Sequence, residues 1–108
     1  MLLDTQPYKV PAVTEPIEPW RQLLLDAADL IDRQGWWDGT PTPRGEQRTL
    51  HCIETAISAI GSKQIDMARS EASVNFSNYV STPSITWNDA PGRTKEEVLA
   101  AMRGAARS

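Results

Sequence analysis

His51 and Cys52 are the one histidine and the one cysteine of this chain, and the first candidates for a nucleophile and its base. Apolar spacing places both on a helix, where sequence neighbours project about 100° apart, so the imidazole cannot take the proton of the adjacent thiol. The pair reads instead as a buried small thiol beside a partly exposed imidazole. One His and one Cys also cannot fill a Cys/His zinc site, and a lone Cys forms no intramolecular disulfide. Asp26, Asp29 and Asp32 span too wide an arc of a helix for one ion. Asp29 and Asp32 alone would supply too few of the six or more oxygens that a hard cation takes. They read as a solvated face, with Asp29 placed to pair with Arg33 at i+4. Gly35 and Gly39 lack the Gly-Lys-Ser/Thr of a phosphate loop, and Gly92-Arg93-Thr94 is a turn leading into a cap. The sequence thus predicts no catalytic group, cofactor or metal, and no enzyme.

The aromatic residues are more informative. Trp36-Trp37-Asp38-Gly39-Thr40 follows Gly35 in a loop dense in turn formers. Adjacent residues in such a loop rarely both point inward, so one tryptophan is expected beneath it and the other outside. An exposed tryptophan is costly unless it serves contact, and tryptophan is enriched among binding hot spots. Trp36, Trp37, Asp38 and Thr40 are therefore the candidate partner-binding residues. Trp87, beside Asn88 and Asp89, is expected to anchor a C-terminal turn, with Asn88 or Asp89 satisfying backbone N–H groups. Arg44, Arg48, Lys63 and Arg69 would suit a helix–turn–helix reader of phosphates. They alternate with Glu46, Glu54, Asp66 and Glu71, which makes a mixed-charge solvated surface the preferred reading.

Positioning these residues requires helices. Residues 1–18, with Pro7, Pro11 and Pro16, read as an extended arm. Its Leu2, Leu3, Tyr8, Val10, Val13 and Ile17 would lie across a groove of the domain or a second subunit; a plain disordered tail is the alternative. A helix is predicted over Pro19–Gln34, with proline at its first position and Gly35 after its end. Its stripe is Trp20, Leu23, Leu24, Ala27, Ala28, Leu30 and Ile31. A second helix is predicted from Thr42 or Pro43 to Gly61, carrying Leu50, Ile53, Ile57 and Ile60. Residues 62–80 read as a helix capped by Ser62, to whose spacing Ile65, Ala68, Ala72, Phe76 and Tyr79 fit. Ala72, Val74 and Phe76 also fit a short strand, which would have nothing to pair with. Thr82-Pro83 starts a single turn with Ile85 and Trp87, and residues 88–93 form a turn. A last helix opens with a capping box of Thr94 and Glu97. Glu96 and Glu97 lie at the positive end of its dipole, and Arg103 and Arg107 near the negative end.

The chain has 108 residues, 40% hydrophobic and 23% charged, which suits one domain with a modest core. The expected fold is all-α: a compact single-domain bundle of three to four helices over residues 19–108, with the extended arm in front. Eleven Lys and Arg against 14 Asp and Glu give a formal charge of −3, which offers no broad basic field to nucleic acid or an anionic membrane. No apolar run approaches the ~18 residues of a membrane span, and Leu2-Leu3-Asp4 is not a secretory signal. A cytoplasmic protein is expected.

Ala27-Ala28-Asp29-Leu30-Ile31, then Gly35-Trp36, then Cys52-Ile53-Glu54-Thr55-Ala56-Ile57 form a recognisable series. It closes with Trp87-Asn88-Asp89, Pro91-Gly92-Arg93-Thr94 and Glu96-Glu97-Val98. In this series the chain resembles a group of short uncharacterised proteins from actinobacteria and their phages, over roughly residues 20–107. The resemblance implies a shared fold and origin but no activity. The group keeps Trp36, which implies that Trp36 is the inward tryptophan. It usually carries glycine at Thr55 and a smaller or polar residue at Trp37, which implies a surface feature at Trp37 peculiar to this protein. The expected function is a small phage-related interaction module that binds a host or cellular protein, or itself, through the aromatic loop. The alternative is a nucleic-acid-associated transcriptional regulator with a helix–turn–helix-like middle.

Overall fold

Pro19 opens the first helix where its missing N–H has no partner to lose, and the helix runs to Gln34 before Gly35 stops it. In the computed structural model, which describes residues 17–40, 50–61 and 66–108, this is α1 (Pro19–Gln34). It is followed by α2 (Ile53–Gly61), α3 (Asp66–Val80), the single turn α4 (Ser84–Asn88) and α5 (Lys95–Arg107). The fold is all-α. The one bridge among the described residues joins Trp36 to His51. Residues 1–16 of the arm, Thr42, Pro43, Arg44, Glu46, Arg48, Ser62, Lys63 and Ile65 lie outside the described residues.

All the apolar residues predicted for the α1 stripe are buried. Helix α1 packs against α5, α2 and α3, so its broad stripe is the spine of the bundle. Facing it are Ile53, Ala56 and Ile57 of α2, Ala68, Ala72 and Phe76 of α3, and Val98, Met102, Ala105 and Ala106 of α5. The alanines let backbones approach; Phe76, the largest fully buried side chain, fills the space between.

Helix α5 runs antiparallel to α1. Lys95 Nζ donates to the Asp32 carbonyl, 3.1 Å, and at the other end Arg21 Nη1 donates to the carbonyls of Ala106, 3.0 Å, and Ser108, 2.6 Å. Arg21 thereby caps the negative end of the α5 dipole. Between these ends Arg103 bonds Asp29 at 3.0 Å and lies 3.6 Å from Asp32. The expected Asp29–Arg33 pair does not form. Asp29 turns across to α5 instead, because the antiparallel neighbour brings Arg103 onto its side of the helix. The capping box is present: Glu97 N–H donates to Thr94 Oγ1, 3.2 Å, and Thr94 N–H to Glu97 Oε1, 2.9 Å.

One element departs from the sequence reading. Leu50, His51 and Cys52 are not helical, so α2 begins at Ile53, well inside the stretch predicted from Thr42 or Pro43. Helix α3 ends at Val80, as the reading of residues 62–80 has it, and its end is closed in an unusual way. Thr82 N–H reaches the Ser77 carbonyl at 3.1 Å and Ser81 N–H reaches Asn78 at 3.3 Å, with Ser81 at φ 60°. This is the six-to-one and five-to-two bonding that usually recruits glycine, carried here by a serine in a left-handed conformation. Ser81→Gly removes the Cβ clash and is expected to stabilise the fold by about 1 kcal/mol, less the entropy glycine adds to the unfolded chain. Phe76→Ala is expected to cost about 3–5 kcal/mol through its cavity, and Thr94→Ala about 1 kcal/mol through the lost cap. Chemical denaturation of the three variants would test this ranking.

Candidate functional site

The loop after α1 depends on two glycines. Gly35 has φ 109°, and a Cβ there would lie 2.5 Å from Leu50 Cδ2. Gly39 has φ 87°, and a Cβ there would strike the Asp89 carboxyl group. Both positive φ values disfavour any side chain, and a Cβ at either site would also oblige the Leu50 or Asp89 side chain to move. From Gly35 the chain pairs with residues 50–52: His51 N–H donates to the Gly35 carbonyl, 3.0 Å, and Trp37 N–H to the His51 carbonyl, 2.9 Å.

The Asn88 amide holds this pairing in place. Asn88 is 1% exposed. Its Oδ1 accepts from the Trp36 indole N–H, 2.8 Å, and from the backbone N–H of Ile53, 3.2 Å. Its Nδ2 donates to the Trp37 carbonyl, 3.1 Å, and to Asp89 Oδ1, 2.8 Å. The Ile53 N–H is one of the orphan donors at a helix start, so Asn88 supplies a partner to α2 from 35 residues away. Asn88 does satisfy a backbone N–H, as expected. Trp87 anchors the same turn: its ring meets Phe76 edge-on at 5.5 Å, and the Arg93 guanidinium lies 3.7 Å above it. Arg93 Nε also donates to the Trp87 carbonyl, 2.9 Å.

Trp36 and Trp37 are both half-buried. Trp36 packs against the core. The expectation that Trp37 stands outside the fold is corrected in part, because its indole N–H donates to the Thr40 carbonyl at 2.6 Å as the loop folds back. Asp38 Oδ1 accepts from the Thr40 N–H at 2.9 Å, and hydrogen bonding from Thr40 holds its carboxyl below the usual carboxylate range. Trp37, Asp38 and Thr40 thus form one bonded unit, with Asp38 and Thr40 exposed, while the Trp36 indole bonds Asn88.

His51 and Cys52 are placed otherwise than expected. Cys52 is half-buried, not buried, and precedes α2, where its Sγ accepts from the Thr55 N–H at 3.4 Å. His51 Nε2 donates to Gln34 Oε1, 2.9 Å, which leaves Nδ1 buried without a hydrogen-bond partner. Burial pushes the imidazole pKa down. Among the described residues no group of three or more His, Cys, Asp or Glu could hold a metal ion. Asp29 and Asp32 both turn to Arg103.

Sequence reasoning missed Glu54. From the first turn of α2 its Oε2 accepts from Ser73 Oγ of α3, 2.7 Å, and from Ser84 Oγ of α4. These residues come from three elements, so no spacing announces them.

With this geometry in hand, a family of unknown function (DUF6197) matches residues 16–108. The chain belongs to that family. No curated protein and no solved structure matches it. Among the described residues no helix is long and apolar enough to cross a membrane.

Asn88→Asp keeps the acceptor but turns the donor into a carboxylate oxygen against the Trp37 carbonyl and Asp89. It is expected to cost about 3 kcal/mol, at least as much as Asn88→Ala, in denaturant titrations. For His51 the unfolded chain binds its proton at a higher pH than the folded protein does. Stability is therefore full above the ordinary histidine pKa and declines as pH falls through it. Between about pH 7.5 and 5.5 the wild type is expected to lose more stability than His51→Gln. Equal losses in the two proteins would remove His51 from the account.

Proposed function

We propose that this protein is a small helical interaction module that binds a host or cellular protein through the Trp36–Thr40 loop. The observation that carries the reading is the anchoring of that loop. Its base is tied to the buried Asn88 amide, and its tip is closed by the Trp37–Thr40 and Asp38–Thr40 bonds. A loop ordered before binding loses less conformational freedom on contact, so more of its contact energy is left for affinity. Trp37 supplies a large rigid surface, and Asp38 an anionic contact beside it. The module works by occlusion or recruitment, with no chemistry of its own, in the cytoplasm. The resemblance of the Trp87–Val98 segment to proteins of actinobacteria and their phages supports a phage-encoded or phage-related origin.

The test is a nuclease-treated pull-down from lysate of the native-host type with wild type and Trp37→Ala, read by mass spectrometry. A protein retained by wild type and weakened roughly 30-fold by the substitution, about 2 kcal/mol, is the expected result. Recovery of the same proteins by both would overturn the loop reading. DNA retention that falls steeply with salt would put the nucleic-acid reading in its place.

A further inference from the structure

His51 holds the base of the aromatic loop at three points. Its backbone N–H donates to the Gly35 carbonyl, and its carbonyl accepts from the Trp37 N–H. Its ring donates from Nε2 to Gln34 Oε1, 2.9 Å, on the last residue of α1. The ring is then neutral, with its single proton on Nε2. The other ring nitrogen, Nδ1, is the one buried side-chain polar atom without a hydrogen-bond partner among the described residues. The charged and titratable groups on the elements around it are Asp32 and Arg33 on α1, Asp38 in the loop, Cys52 and Glu54 on its own segment, and Asp89 after α4. Asp32 turns to Lys95 and Arg103, Asp38 to Thr40, Cys52 to Thr55, Glu54 to Ser73 and Ser84, and Asp89 to Asn88. Among the described residues no ion pair joins a carboxylate to the imidazole.

We propose that His51 is a proton-operated latch on the Trp36–Thr40 loop, closed while the imidazole is neutral and released when it takes a second proton. Nε2 already carries a proton, so the second adds at Nδ1. There it creates a cation and a new N–H donor buried away from solvent, with no acceptor to meet it. An unmet buried donor, and a charged one above all, costs more than the single Gln34 bond returns. The ring reaches water by turning away from Gln34, which removes one of the three ties between residue 51 and the end of α1. The two backbone bonds of one isolated bridge remain, and Asn88 still holds the Trp36 indole and the Trp37 carbonyl. The base of the loop is therefore loosened while the bundle stays folded. Burial, which pushes the pKa of the closed imidazole down, fixes the direction. The open form takes the proton at the higher pH, so the latch is full above the ordinary histidine pKa and weakens as pH falls through it. As control of binding, with partner released on acidification, this rests on the loop being the docking site.

The experiment follows hydrogen exchange of the Trp37 and His51 amides in the full chain by NMR, with no partner present. Protection factors are compared at about pH 7.5 and about pH 5.5, on either side of the ordinary histidine pKa, with and without a little urea. The amide of Met102, buried in α5, is the reference for global unfolding. In wild type both latch amides are expected to lose protection severalfold at the lower pH, with about tenfold as the ceiling for one proton over that range. Their exchange is expected to depend little on urea and that of Met102 steeply, because a local opening exposes little surface. His51→Gln takes no proton and is expected to keep equal protection at both pH values. Latch amides with the urea dependence of Met102, or with the same loss in His51→Gln, would overturn the proposal. So would a wild-type imidazole whose ring protons titrate at or above the ordinary value of about 6.5. Because no partner is present, failure of the Trp37-dependent pull-down would sink the docking reading and leave the latch standing.

Discussion

The Asn88 side chain is the constraint on which the site end of the molecule rests. A buried amide with two donors and an acceptor oxygen must find partners, because leaving them unmet costs more than the bonds themselves gain. Here the partners come from four directions: the Trp36 indole, the Trp37 carbonyl, the Ile53 N–H and Asp89. Satisfying one amide therefore fixes where the loop lies, where α2 begins and how α4 is oriented. The pairing of Gly35 and Trp37 with His51 follows, because Asn88 holds Trp36 on one side and Ile53 on the other.

Helix α4 could not hold that amide alone. A single turn is far below the length at which an isolated helix is stable in water. It is held instead by tertiary contacts: Trp87 against Phe76, Arg93 over the Trp87 ring, and Ser84 bonded to Glu54 and, through its N–H, to Ser77 Oγ. The short helix thus joins the aromatic loop on one side to the Glu54–Ser73 bond of α2 and α3 on the other. Away from it, α1 and α5 are aligned by alanine-rich packing and by charge. The exposed Arg103 pairs add little energy but favour one antiparallel register, and Arg21 closes the far end.

What was legible in the sequence was periodic or local. The α1 stripe, Pro19 and Gly35, the Thr94–Glu97 box and the short turn carrying Trp87 were all correctly read, because each depends on residues within a few positions of one another. The helix at the end of the 62–80 stretch was also recovered, over Asp66–Val80, although apolar residues lie on more than one of its faces. The start of α2 was not. Leu50 keeps the helical spacing with Ile53 and Ile57, yet residues 50–52 bond to the loop and not to their own helix.

The sequence by itself determined an all-α bundle, because burying an apolar stripe at helical spacing is decided largely by pattern and by end signals. Tertiary structure alone decided which groups meet. Asn88 meets Trp36 across 52 residues and Ile53 across 35, and Glu54 meets Ser73 and Ser84 across 19 and 30. Contacts of that range depend on how helices cross and where loops close, and no local periodicity records them.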